Sequence, residues 1–114
     1  MHKLLISALI IMLLSCTYDN EEELFDDAPC GDVAISLEDD IQPIVTTNCA
    51  ISGCHISGGQ PPDLSSRQQI ANRATRIKVR TQNGSMPPPS SGLSLSNQEI
   101  KQISCWVDAG ANQN

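Results

Sequence analysis

An all-α fold is predicted by three observations. Three segments carry apolar residues at helical spacing, the stretches joining them are rich in glycine and proline, and no alternating strand pattern competes. In "SLEDDIQPIVTTNC", Leu37, Ile41, Ile44 and Val45 fall at i, i+4, i+7 and i+8, one face of a helix. Acidic residues crowd its start, where the helix dipole favours them. Pro43 is tolerated only in a first turn, so the helix is expected to begin near Asp39–Ile41 and to end at the cysteines that follow. The segment "SSRQQIANRATRIKV" opens on serine caps and carries Ile70, Ala71, Ala74 and Ile77, which predicts a helix over 66–76. The last segment, "LSNQEIKQISCWVDAGANQN", holds the S-x-x-E capping box at Ser96 and Glu99. Ile100, Ile103, Trp106 and Val107 then form one apolar stripe, with Gly110 placed to end it. "HISGGQPPDL" and "TQNGSMPPPSSGLSL" are expected to be loops.

The N-terminus has a different character. "MHKLLISALIIMLLSC" has one early cation and an apolar run from Leu4 to Leu14, broken only by Ser7. Spanning a bilayer takes about 20 apolar residues, so the run is expected to be a signal-peptide core. "LLSC" resembles a bacterial lipobox, in which the cysteine is lipidated and becomes the first mature residue; Cys16 is that candidate. Between Thr17 and Asp40 there are ten acids and no base, whereas from Ile41 onward there are six bases and three acids. The acidic stretch is expected to act as a solvated tether. The organisation predicted is a signal peptide over 1–15, a lipidated tether over 16–35 and a folded domain over 36–112. Such a domain is marginal without a staple or a bound group, and Trp106 is the one aromatic residue after Phe25.

Five cysteines in an exported chain leave one unpaired if all form disulfides. Lipidation of Cys16 removes the odd one, leaving Cys30, Cys49, Cys54 and Cys105. Two disulfides, with three possible connectivities, are one reading. A Cys₃His zinc site is a second, opposed by the difficulty of keeping thiolates outside the cytoplasm and by the cysteine it would strand. A thioredoxin-like redox pair is a third, but its C-x-x-C belongs in a βαβ setting.

The fourth reading starts from "NCAISGCHISGG". Covalent haem attachment ordinarily takes C-x-x-C-H: two thiols add across two porphyrin vinyl groups, and the adjacent imidazole falls beneath the iron. The adjacency of Cys54 and His55 meets that need, while the four-residue gap from Cys49 needs a bulge that Gly53 can accommodate. With the signal gone, His55 is the one histidine left and Met86 the one methionine. A methionine is more often core filling than a ligand, yet Met86 sits in a proline-stiffened loop 31 positions beyond His55.

"DIQPIVTTNCAISGCH", "GGQPPDL", "NGSMPPP" and "LSLSNQEIKQISCWVDAGA" together resemble a small monohaem c-type cytochrome, of the exported lipoprotein kind with a four-residue gap between haem cysteines. The likeness covers most of the domain. It implies a cytochrome c-like fold of about three main helices around one covalently attached haem c. By the same resemblance, Cys49 and Cys54 would hold the vinyl groups, and His55 and Met86 would be the axial ligands of the iron. Pro62 would offer its carbonyl to the imidazole's other nitrogen, and Cys30 and Cys105 would be left to form a disulfide.

The function expected is electron transfer, not enzymatic turnover. The carrier would be lipid-anchored at the outer membrane or cell surface, otherwise periplasmic, and would meet the membrane through Cys16 and redox proteins through an exposed haem edge. The alternative expectation is a haem-free, disulfide-stapled surface lipoprotein with a structural or adhesive role. One histidine allows no catalytic triad, and overall acidity with few aromatics argues against nucleic acid. Arg73, Arg76, Lys78 and Arg80 form a basic cluster read as pairing haem propionates, steering an acidic partner, or simply facing solvent. Trp106 is expected to pack within its helix layer.

Overall fold

In the computed structural model, residues 30–31 and 33–114 are described. The expected signal peptide over 1–15, the lipidation candidate Cys16 and the acidic stretch before Cys30 lie outside the described residues. Among those that are described, all regular structure is helical and no strand occurs. No helix among them is long and apolar enough to cross a membrane.

The first helical stretch starts earlier than its proline suggested. A π-helical turn over Leu37–Ile41 leads directly into helix α1, Gln42–Asn48. Ser36 caps it: its Oγ accepts from the Asp39 N–H (3.2 Å), and the Asp40 carboxylate accepts from the Ser36 N–H (2.7 Å). The Ile41 N–H reaches back five residues to the Ser36 carbonyl, and the Gln42 N–H to that of Leu37. Proline lacks an N–H and its ring presses on the carbonyl four residues back. A widened turn just ahead of Pro43 therefore lets one helical run begin at Leu37 and still contain the proline. Leu37, Ile41, Ile44 and Val45 are all buried, as their spacing implied.

The second predicted helix is two helices. Helix α2, Arg67–Asn72, is capped by Ser66, whose Oγ accepts from the Gln69 N–H. The chain breaks at Arg73 (φ −110°, ψ 7°) and resumes as α3, Ala74–Gln82. The break turns two short apolar faces inward, Ile70 from α2 and Ala74 and Ile77 from α3. Helix α3 also runs on past the expected loop boundary at Thr81. Thr81 is only 3% exposed, and its hydroxyl donates to the Ile77 carbonyl at 2.9 Å. A polar residue that satisfies itself inside its own helix can extend the buried face by a turn.

Helix α4, Asn97–Asp108, matches its prediction closely. The capping box is complete: the Ser96 Oγ accepts from the Glu99 N–H, and the Glu99 carboxylate accepts from the Ser96 N–H at 2.8 Å. Ile103 and Trp106 are buried. Ala109 closes the helix, and Gly110 follows at φ +109°, one place later than expected. The Trp106 indole N–H donates to the Asn112 carbonyl at 2.9 Å, which turns the last residues back. They reach the first helical turn, where the Asn114 backbone oxygen accepts from the Glu38 N–H at 3.1 Å.

Helices α3 and α4 pack against one another, α4 also meets the π turn, and α1 meets α2. Trp106, Ile103, Leu37, Ile41, Val45 and Ile70 form the centre of one core, and Cys49 belongs to it. Among the described residues no buried side-chain nitrogen or oxygen lacks a hydrogen-bond partner. Cys30 and Cys105 lie at disulfide distance with Cα atoms 5.3 Å apart, 75 residues apart in sequence. Closing a loop of that length stabilises a fold by about 4 kcal/mol in the chain-entropy account.

Candidate haem-attachment site

Helix α1 ends at Cys49, whose N–H bonds to the Val45 carbonyl at 2.8 Å. The chain then folds back on itself. The His55 N–H donates to the Cys49 carbonyl at 3.0 Å, which closes the four-residue gap into a loop and returns Cys54 and His55 to the end of α1. Gly53 takes φ +81° within that loop, a conformation that side chains disfavour. Past the histidine the chain doubles back again, with the Gln60 N–H on the Cys54 carbonyl (2.7 Å) and the Leu64 N–H on the His55 carbonyl (2.9 Å). This second turn needs Gly59. A Cβ there would sit 2.2 Å from the Cys54 carbonyl oxygen.

The imidazole is held by backbone oxygen. His55 Nδ1 lies 3.0 Å from the Pro62 carbonyl and 3.2 Å from that of Gln60. Carbonyl oxygens only accept, so Nδ1 carries a proton, and the neutral ring in that tautomer has its lone pair on Nε2. A histidine oriented in this way is prepared to ligate a metal through Nε2. Next to it, Asp63 accepts from the hydroxyl and the N–H of Ser65. These bonds hold its carboxyl below the usual range and form the turn that leads into α2.

Cys49 and Cys54 are free thiols, the first buried and the second half-buried. Burial pushes the Cys49 thiol up to about 11, with smaller contributions from the negative charges that Cys54 and Glu99 can carry. Glu99 belongs to the first turn of α4, so the charge of that turn reaches the loop that follows α1. Neither a two-disulfide arrangement nor a zinc site is assembled here. Cys30 and Cys105 pair with each other, and among the described residues no three His, Cys, Asp or Glu side chains converge as a metal site.

Met86 occupies the other proline-rich loop. Its N–H donates to the Arg80 carbonyl at 3.1 Å, and its half-buried side chain lines a cleft of about 440 Å³ with Thr81, Pro87, Leu93, Leu95 and Ile100. Cys49, Cys54 and His55 do not line that cleft. The first turn of α4 relates to both places: the Glu99 charge is near enough to be felt at Cys49, and Ile100, the next residue, lines the Met86 cleft.

Several features here were not read from the sequence: the second carbonyl on His55, the need for Gly59, and Glu99 beside Cys49. The "GG" pair of "HISGG" was the one available signal, for the glycine. In comparisons with known proteins, no family model matches the chain, and neither the curated proteins nor the solved structures contain a match.

Proposed function

We propose that this chain carries one covalently attached haem c and passes single electrons as a lipid-anchored, cytochrome c-like protein. One observation carries the reading: His55, directly after Cys54, has Nδ1 committed to the Pro62 carbonyl and Nε2 free, beside two thiols with no disulfide partner. The donor set fits haem c. Cys49 and Cys54 would hold the vinyl groups as thioethers, His55 would ligate iron through Nε2, and Met86 would supply a thioether sulfur as the further ligand. Ile51, Ile56, Met86 and Leu93 are apolar residues that the helical core leaves half-exposed, and they offer contact area to a macrocycle. When bound, the haem would supply an iron that cycles between ferric and ferrous states. A methionine opposite histidine raises its potential relative to two histidines.

The residues of the chain have separate tasks in this reading. The Pro62 and Gln60 carbonyls orient the ring and raise the basicity of Nε2. Gly59 permits the tight turn that brings the Gln60 backbone against that of Cys54. Lipidated Cys16 would anchor the chain, each buried methylene adding about 0.8 kcal/mol, at the outer membrane or cell surface or otherwise facing the periplasm. Redox proteins would be the partners.

A haem-free, stapled surface module is the second reading. It is favoured by the closed core, with its buried polar atoms satisfied, and by the Cys30–Cys105 pair. One experiment separates the two. The full chain is exported from cells that carry haem-attachment machinery, and its visible spectrum is taken before and after acid–acetone extraction. A Soret band with reduced α and β bands that stay with the polypeptide is the expected result. Colourless protein whose mass includes no haem would overturn the reading and leave the stapled module.

A further inference from the structure

The strongest unexplained feature outside the candidate haem site is the outer face of α3. No acid occurs between Leu64 and Gln98, a span that holds five bases. Two of the five are paired, Arg67 with Glu38 at 2.7 Å and Lys78 with Asp108. Arg73, Arg76 and Arg80 have no ion-pair partner among the described residues. They line one shallow cleft of about 560 Å³, together with Asn72, Asn83 and Val79. Val79 is 51% exposed, one of two large apolar side chains that the described residues leave in solvent. Three unpaired guanidiniums around an exposed valine form an acceptor for an acidic segment that carries some apolar residues.

The chain holds such a segment. Residues 19–27 carry Asp19, Glu21, Glu22, Glu23, Asp26 and Asp27 around Leu24 and Phe25, with no base. Cys30 is joined to Cys105 on α4, and α4 packs on α3, where Lys78 meets Asp108 and Gln82 donates to Ser104 at 3.2 Å. The segment therefore starts beside α4, which packs on the Lys78 and Gln82 side of α3, and has to pass round α3 to reach Arg76 and Arg80. Asp19 lies eleven residues from Cys30, a reach of about 35 Å when extended, enough to cross a domain of this size. Tethering at that distance gives an effective concentration of roughly millimolar order, so weak ion pairs suffice for substantial occupancy.

We propose that residues 19–27 dock across Arg73, Arg76 and Arg80 with Leu24 or Phe25 against Val79, so that the chain covers its own basic face at low ionic strength. An acidic partner must displace this strap to use the face. The association does not require haem and stands or falls separately from the electron-transfer reading.

The test uses the exported full-length chain and a variant with Asp19→Asn, Glu21→Gln, Glu22→Gln, Glu23→Gln, Asp26→Asn and Asp27→Asn. An arginine-directed dicarbonyl reagent is applied at low salt and again at about 0.5 M salt, where charges are screened beyond a few ångströms. Mass spectrometry then reads each site, with ion-paired Arg67 as the reference in the same molecule. Arg73, Arg76 and Arg80 are expected to react roughly three- to ten-fold more slowly in the native chain at low salt, with the protection lost in high salt and in the variant. Equal rates in both chains at low salt would overturn the proposal. Protection that persists in the variant would overturn it too, since something other than the strap would cover the face.

Discussion

The two proline-rich loops are built in opposite ways. The loop after α1 is cross-braced from Cys49 to Leu64. Six backbone hydrogen bonds return it onto the carbonyls of Cys49, Ile51, Cys54, His55 and Ile56, with Cys54 accepting two, and the Gln60 and Pro62 carbonyls fix the imidazole. The loop after α3 holds Met86 by one backbone bond and turns at Pro89–Ser91, leaving the methionine beside a cleft. A ligand that must be in place before a metal arrives belongs on the braced loop; one that closes afterwards can sit on the looser one. Under the haem reading, His55 is thus the anchor and Met86 the adjustable partner.

The widest separation between the loops is expected in substitutions of the two candidate ligands. His55→Ala should abolish the low-spin haem spectrum and most of the attached haem, read by Soret absorbance per polypeptide. Met86→Ala should keep the covalent haem, lower its potential and remove any weak far-red charge-transfer band. An unchanged spectrum and potential in Met86→Ala would take the methionine off the iron and leave His55 untouched.

The next contrast concerns Cys49 in the haem-free chain. A thiol held up at about 11, against 9.0 when unburied, has about 100-fold less thiolate at pH 8, and alkylation should slow by at least that factor relative to the chain in urea. The same shift sets a pH dependence. Below pH 9 the thiol is neutral in both states. Between 9 and 11 the unfolded chain ionises first, so folding stability falls as pH rises, by up to about 3 kcal/mol. Denaturant titrations at pH 8 and pH 10.5 measure this, and protein with Cys49 locked in a thioether should lose that component of the alkaline slope.

Glycines give the third comparison. In the braced loop, Gly59→Ala places a Cβ 2.2 Å from a backbone oxygen, and the loop must open; a loss of roughly 2–4 kcal/mol in urea unfolding is expected. In the other loop, Gly84→Ala meets nothing within 4 Å but must hold φ +72°, which costs about 1 kcal/mol. Equal losses would remove the distinction between the loops.

Local chemistry is what the sequence made readable. The Ser96–Glu99 box and the stripe of α4 were legible because both lie within one helix. The Cys54–His55 pair could be singled out because its members are adjacent in the chain, whereas Pro62, seven residues on, followed only from the family resemblance. The break at Arg73 was hidden, since it depends on Ile70 and Ile77 finding one core from two axes. The burial of Thr81 is invisible in sequence because it follows from tertiary packing, with its hydroxyl satisfied one turn back. The π turn is hidden because Pro43 points to a first-turn position and a start near Asp39–Ile41, whereas a wider turn over Leu37–Ile41 precedes it. Glu99 beside Cys49 joins residues fifty apart, and no spacing rule reaches that far.

That long-range neighbour also supplies the smallest and most discriminating prediction. Ser96→Ala removes one half of the capping box, and a lost serine cap costs about 1 kcal/mol. The first turn of α4 lies close to both loops, with the Glu99 charge felt at Cys49 and Ile100 lining the Met86 cleft. Fraying it should therefore raise the alkylation rate of Cys49 in the haem-free chain several-fold, beyond what the drop in global stability allows. Asn97→Ala, one residue on but outside the cap, serves as the control and should leave that rate alone. If both variants label Cys49 at the native rate, the two loops do not communicate through α4, and the braced loop protects its buried thiol by itself.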